Sequence, residues 1–341
     1  MSKNLIDAVT TKSLREPAGE QCLKVSVIIP VLNEDRVIGR CLESLQKMDY
    51  ARDQFEVIVV DNGSTDSTTR VVHDFASALN LKMLERKGVR ISALRNFGAA
   101  HARGQIFAFL DADCLAPREW LSRATALFQA QPAGVIGGHC RIPDESSWVA
   151  RNWYPEERVN KRGVVRYVPS GNLLVPRSQF SCVGGFDETL ETNEDYEFCQ
   201  RICKAGFSVL AFPELNVVHL GVPQTVSEFY RRNRWHGKHV VKVFLRDISS
   251  LHNAKPILFA LYVLLSLVGV VLGLIFGAFG RIELFVASLC ATFMGPFVLG
   301  LHAAVSRRRL DSLFPLTALF MLYGLARARC LVGKGPSFRW R

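Results

Sequence analysis

The sequence predicts an α/β protein: a mostly parallel sheet domain followed by a C-terminal membrane helical region. Three observations predict it. From Val25 to Leu110, short apolar-rich runs of mostly β-branched and aromatic residues alternate with segments of helical spacing. Two later stretches, residues 256–280 and 284–306, hold no Asp, Glu, Lys or Arg. Charge divides the same way: residues 231–341 carry 16 Lys/Arg against 3 Asp/Glu, and residues 1–230 carry 26 against 28.

The elements follow in order. Residues 1–20 are polar with no apolar core, so no signal peptide is expected and residues 1–22 read as a flexible tail. Residues 23–224 form the sheet domain. Val25–Pro30 is a buried first strand, and Asp35–Lys47 places Val37, Ile38, Cys41, Leu42 and Leu45 on one helical face. Phe55–Val60 is the second strand. Asp61-Asn62-Gly63-Ser64 is a turn, with Thr65 or Asp66 capping a helix to about Leu79. A short strand at Leu81–Leu84, a helix at Ser92–Arg103 and a strand at Gln105–Leu110 complete four strand–helix alternations, which build a parallel sheet with right-handed crossovers. The rhythm then changes: a helix at Pro117–Gln129, an apolar Val135–Gly138, a helix or loop at Trp148–Asn160 and a strand at Gly171–Val175. A turn at Val183–Asp187 precedes a helix at Asn193–Ala205, and short strands follow at Phe207–Phe212 and Asn216–His219.

Thr225–Ile248 reads as one helix, the core of a basic amphipathic juxtamembrane segment over residues 225–250. Its Arg231, Arg234, Lys238, Lys242 and Arg246 recur at steps of three and four. Residues 256–280 and 284–306 each span a hydrocarbon core of about 30 Å and are joined by a tight Gly280–Glu283 turn. The third apolar run, Ser312–Ala326, holds only 15 residues and includes Pro315, so residues 312–330 are expected to be interfacial or re-entrant, ahead of a basic tail at 331–341. The positive-inside rule puts Lys255, Arg307–Arg309 and that tail in the cytoplasm. The chain is then a multi-pass protein of a bacterial-type inner membrane with its catalytic domain cytoplasmic. Basic charge that flanks apolar segments suits membrane lipids and gives no reason to expect nucleic acid. Nine cysteines without a Cys-x-x-Cys pair read as free thiols.

The chemistry starts at Asp111-Ala112-Asp113. Two carboxylates at the carboxyl end of a buried strand lie where open α/β sheets bind ligands. They can hold Mg²⁺ or Mn²⁺ against a diphosphate; on the residues alone, a solvated turn serves equally well. The surrounding motifs decide. Val25–Glu34, Val59–Asp66, Arg95–Ala100, Leu110–Asp113, Ser170-Gly171-Asn172, Val183–Glu188, Asn193–Glu197 and Arg231–Trp235 occur in an order that resembles the inverting family 2 glycosyltransferases, whose domain has the GT-A (Rossmann-like) fold.

The resemblance implies roles. Asp61 contacts the nucleotide base, with Pro30, Asn33 and Glu34 at the same end of the sheet and Arg95 turned toward the nucleotide. Asp113 binds the metal, and Asp111 binds the metal or the sugar nucleotide. In the acidic pair Glu194-Asp195, Asp195 is the general base. Gly171, Asn172, Arg231, Arg234 and Trp235 meet the acceptor or the diphosphate. Arg231 stands where processive synthases have Gln in Gln-x-x-Arg-Trp, so transfer of a single sugar is expected. The implied partners are a UDP- or GDP-sugar donor and a lipid-linked or saccharide acceptor, in surface polysaccharide or glycan assembly. A polyprenyl-phosphate sugar synthase and a catalytically idle membrane scaffold are the alternatives, and the intact Asp61, Asp111, Asp113 and Asp195 argue against the second.

Overall fold

The computed structural model describes residues 24–131, 133–155, 160–238, 240–246 and 251–333. The tail expected over 1–22 and residues 334–341 of the basic tail lie outside the described residues.

β1 (Val25–Val31), β2 (Phe55–Asp61), β3 (Leu81–Glu85) and β4 (Ile106–Leu110) run parallel and are linked by α1 (Ile38–Gln46), α2 (Thr68–Asp74) and α3 (Ile91–His101). The chain continues through β5 (Cys114–Leu115), α4 (Trp120–Ala130), β6 (Val135–Gly137), β7 (Cys140–Arg141), α5 (Trp148–Trp153), β8 (Gly163–Val164) and β9 (Asn172–Pro176). Then come α6 (Arg177–Cys182), α7 (Glu194–Lys204), β10 (Val209–Ala211) and β11 (Val217–His219). The main sheet has the order β3-β2-β1-β4-β9-β6-β10-β8, with β9 antiparallel to both β4 and β6. A small second sheet, β5-β11-β7, lies beside it.

β1, β2 and β4 are mostly apolar because both faces are covered, and the buried Ser26 and Glu56 hydrogen-bond each other at 2.6 Å. Val25, Val27 and Ile29 of β1 join the core on one face, with Ile38, Leu42 and Trp120; Ile28 joins the core on the other, with Leu94, Phe180 and Phe198.

Within the described residues the single helix expected over Thr225–Ile248 is two; positions 239 and 247–248 lie outside them. α8 (Val226–His236) opens with a Thr225–Glu228 capping box, and α9 (Val240–Arg246) follows after a break at Gly237. A Cβ on Gly237 would lie 2.7 Å from Cys330 Sγ, so the bare backbone there admits the last helix. α10 (Leu251–Gly277) and α11 (Ile282–Ser306) form the expected apolar hairpin. They pack through small residues, Gly273 on Phe285 and Gly295 on Tyr262, in the manner of membrane helices.

α12 (Leu313–Val332) runs on past Arg327 and Arg329. Among the described residues, three segments are therefore long and apolar enough to cross a membrane: Ala254–Gly277, Ile282–Ser306 and Leu310–Val332. α12 does not run the length of the hairpin. Gly300 lies against Thr317, and Gly324 against Phe259 and Val263. At about 1.5 Å per residue, positions 259 and 300 are both roughly 27 Å from the hairpin turn, so α12 crosses the hairpin near its base. Its other side meets the sheet domain, where Trp153 packs on Phe229, Phe320 and Tyr323 at ring distances of 4.8, 5.4 and 5.5 Å.

Candidate active site

A cleft of about 1930 Å³ opens at the carboxyl ends of the central strands. It exceeds the roughly 300–1,000 Å³ of an ordinary small-molecule site. Pro30, Glu34, Arg95, Asp111, Asp113, Gly171, Glu194, Asp195, Arg231 and Trp235 all line it.

Arg95 is the strut of the site. It is 1% exposed, and its guanidinium bridges Asp111 Oδ1 at 2.7 Å and Glu194 Oε1 at 2.8 Å. Burial opposes its charge, but the two carboxylates outweigh that and raise its pKa. Arg95, expected to turn toward the nucleotide, lines the cleft with its charge matched by these two carboxylates, tying α3 to the end of β4 and the start of α7.

Asn193 adopts φ +63°, a left-handed conformation that Asn tolerates, and the chain reverses there so that Glu194 and Asp195 open α7. Two carboxylates in the first turn suit the helix dipole. Ser170 Oγ donates to Glu194 at 3.1 Å. Asp195 accepts the Tyr196 N–H at 2.7 Å and the Ser170 N–H at 3.4 Å. Burial, with the Glu194 charge beside it, pushes the Asp195 pKa up to about 7, against the pull of those N–H groups and Arg95. A carboxylate with a pKa near neutrality is poised to accept a proton.

The Asp113 end is built by strand register. β11 pairs antiparallel with β5, His219 opposite Cys114, so His219 Nε2 comes within 3.5 Å of Asp113 Oδ1. Asp113, Cys114 and His219 bring one ligand atom each within 4.8 Å of one another. Burial pushes the His219 pKa down, so the ring is held neutral, as a metal ligand must be. A Cβ on Gly221 would fall 2.0 Å from Asp113 Oδ2, so only glycine leaves that carboxylate its place. Burial, then the charges of Asp113 and Asp111, push the Glu34 pKa up to about 8. Three carboxylates facing one space call for a cation.

Four expected site residues do not line the cleft. Asp61 accepts the N–H groups of Gly63 and Ser64, both at 2.9 Å, and the Ser64 hydroxyl at 2.5 Å, holding the loop after β2. Asn33, at φ +55°, accepts the Thr65 N–H at 2.8 Å and clasps the loops after β1 and β2 together. Asn172 is fully buried between the Trp120 indole N–H, at 3.0 Å, and the Leu215 carbonyl, at 2.7 Å. The Arg234 carbonyl accepts the Cys330 thiol at 3.0 Å. Sequence reasoning missed His219, Gly221 and Ser170. The signal for His219 was present, a histidine ending an apolar strand beside a glycine turn, but its partner lies more than 100 residues earlier.

Known proteins share this organisation. A family model described as Glycosyl transferase family group 2 matches residues 106–322, and one described as Glycosyl transferase family 2 matches residues 26–184. Glycosyltransferase AglE of Haloferax volcanii is 31% identical over 253 residues, 71% of this chain and 80% of its own. Beta-monoglucosyldiacylglycerol synthase of a Nostoc species is 26% identical over 226 residues, 62% of this chain; the matched part is 48% of that protein, so the chain corresponds to about half its length. Mannosyltransferase PcManGT from Pyrobaculum calidifontis, solved with GDP-Man and Mn²⁺, aligns with a TM-score of 0.59 at 24% identity over 91% of this chain and 87% of its own, a likeness of fold. With its ordered motifs, its acidic cleft at the sheet's carboxyl edge and these matches, the chain belongs to the family 2 glycosyltransferases and has their GT-A fold.

Proposed function

We propose that the protein transfers one sugar, with inversion, from a UDP- or GDP-sugar to a lipid-linked acceptor in the assembly of a surface polysaccharide or glycan. The observation that carries this reading is Asp195: a buried carboxylate with a pKa of about 7, facing a cleft that also holds Asp111 and Asp113.

Pro30 and Glu34 bound the donor end of the cleft, and Asp61 and Asn33 shape the loops that receive the base. Asp111 and Asp113 would hold Mg²⁺ or Mn²⁺, with His219 as a further ligand. The residues fit a divalent cation: Gly171 and Gly221 leave the two carboxylates room, and the His219 imidazole faces Asp113. When bound, the cation would act as a Lewis acid on the departing diphosphate. Asp195 accepts the proton of the acceptor hydroxyl as that oxygen attacks the anomeric carbon. In-line attack from the face opposite the diphosphate inverts the configuration. Glu194, held by Arg95 and Ser170, keeps Asp195 in place. Gly171, Arg231 and Trp235 border the acceptor's path, and Asn172 and Arg234 support it from behind.

The α10–α11 hairpin sits in the membrane with α12 at its surface and the sheet domain on the cytoplasmic side. The reading is supported by relatives whose names specify a glycosyltransferase and a glycolipid synthase. Three apolar helices are few for a polymer channel, which favours a non-processive enzyme. A thermal-shift panel of nucleotide sugars tests it: at least one UDP- or GDP-sugar should raise Tm with Mn²⁺ present and much less without. A panel in which no nucleotide sugar shifts Tm, with or without metal, contradicts it.

A further inference from the structure

The cleft is about twice the upper size of an ordinary small-molecule site, and the base of the membrane hairpin contributes to its wall. Arg307 and Arg309, just past the end of α11, line it together with Pro256 of α10 and Val240 of α9. Arg308, between them, stands at φ +52° and is not part of the wall. The reversal at Arg308 lets its two neighbours share one side. Arg231 and Arg232 of α8 line the same cleft, and Arg232 donates to the Gly221 carbonyl at 2.5 Å, on the Asp113 side. The acid nearest them in sequence, Glu228, is engaged by the N–H groups of Gln224 and Thr225, at 2.8 and 3.2 Å. Arg309 pairs at 3.0 Å with Asp311, an exposed contact of little strength. Arg307 donates to the Asn152 carbonyl at 2.5 Å, which fixes it against the sheet domain.

Depth fits the charge. At about 1.5 Å per residue, Arg307 lies roughly 37 Å and Pro256 roughly 31 Å from the hairpin turn. If the hairpin fills a hydrocarbon core of about 30 Å, both stand at headgroup level. A ligand here would keep a strongly anionic group in the cleft and an apolar chain beside Pro256 and Val240.

We propose that Arg307 and Arg309, with Arg231, form a diphosphate site for an acceptor lipid whose chain lies in the membrane beside the hairpin. This rests on the transferase reading above and names its acceptor. The diphosphate holds the acceptor's first sugar toward Asp195, and the donor's own diphosphate stays at Asp111 and Asp113. Guanidinium forks match phosphate oxygens in a way that ammonium groups do not.

The test uses the full chain in phosphatidylcholine nanodiscs with Mn²⁺ and saturating UDP or GDP, so that the donor end is filled. Farnesyl diphosphate should bind, and farnesol at least about tenfold more weakly, a difference of about 1.4 kcal/mol. The pair Arg307→Gln and Arg309→Gln should weaken farnesyl diphosphate about tenfold or more. Arg307→Lys with Arg309→Lys should recover part of the loss, which separates charge from folding, and the nucleotide-sugar thermal shift checks each variant's fold. Equal affinity in the Gln variant, binding of farnesyl diphosphate only when the nucleotide is left out, or its displacement by added phosphatidylglycerol overturns the proposal. So does absence of farnesyl diphosphate binding by the parent. The parent's own nucleotide-sugar shift in the same discs tests the transferase reading separately.

Discussion

Asp195 makes opposite demands on activity and on stability. Its folded pKa of about 7 lies above the ordinary 3.8. The proton acceptor must be ionised, so transfer should fall roughly tenfold per pH unit below about pH 7; a flat profile from pH 5 to 8 would contradict this. Stability runs the other way. Between the two pKa values the folded state holds a proton that the unfolded chain has released, so this residue's contribution to stability falls as pH rises from about 4 to 7. Asp195→Asn should therefore melt above the parent at pH 8 and level with it near pH 4, as read by thermal melts. At the Asp113 end, Gly221→Ala forces a methyl onto a carboxylate oxygen. It should remove most of the Mn²⁺-dependent nucleotide binding, by about tenfold or more, and leave metal-free binding unchanged, as read by titration in Mn²⁺ and in EDTA. His219→Ala should do the same more weakly. Metal-dependent binding at the parent's strength in Gly221→Ala would remove Asp113 from the metal site.

Elements buried on both sides were readable from the sequence. β1, β2 and β4 are apolar runs broken only by Ser26, Glu56 and the terminal Asp61, and their ends fell within a residue or two of where the structure puts them. β5, β7 and β8 are two-residue strands that exist only through their partners, so no periodicity announces them. The basic stripe kept its period across Gly237 and concealed the break between α8 and α9, where Gly237 meets Cys330, more than 90 residues later. The extent of α12 was hidden by Arg327 and Arg329, which look like a membrane boundary but lie within the helix. Because α12 crosses the base of the hairpin, only the α10–α11 turn should reach the far side of the membrane. A cysteine placed in the Gly280–Glu283 turn should label from outside, and one at position 308 or at the C-terminus should not. Outside labelling at the C-terminus would make α12 a third span.

At the scale of the whole molecule, the cleft joins parts that the sequence keeps far apart: the carboxylates Glu34, Asp111, Asp113, Glu194 and Asp195, and the late arginines Arg231, Arg232, Arg307 and Arg309. The ordered motifs made the acidic half legible, down to Asp111, Asp113, Glu194 and Asp195. The part played by the hairpin was not, because Arg307 and Arg309 read as ordinary membrane-flanking charge until α12 and the Trp153 cluster fold the hairpin's base onto the sheet domain. The central claim is that this joined cleft moves a sugar from a nucleotide to a lipid, with Asp195 taking the proton. The most direct measurement is transfer of radiolabelled sugar into the lipid phase by the reconstituted full chain, beside its Asp195→Asn variant. The account predicts label in the lipid phase for the parent. For the variant it predicts a fall of about two to four orders of magnitude in transfer, with nucleotide-sugar affinity within about twofold. Transfer by Asp195→Asn at the parent's rate would contradict it.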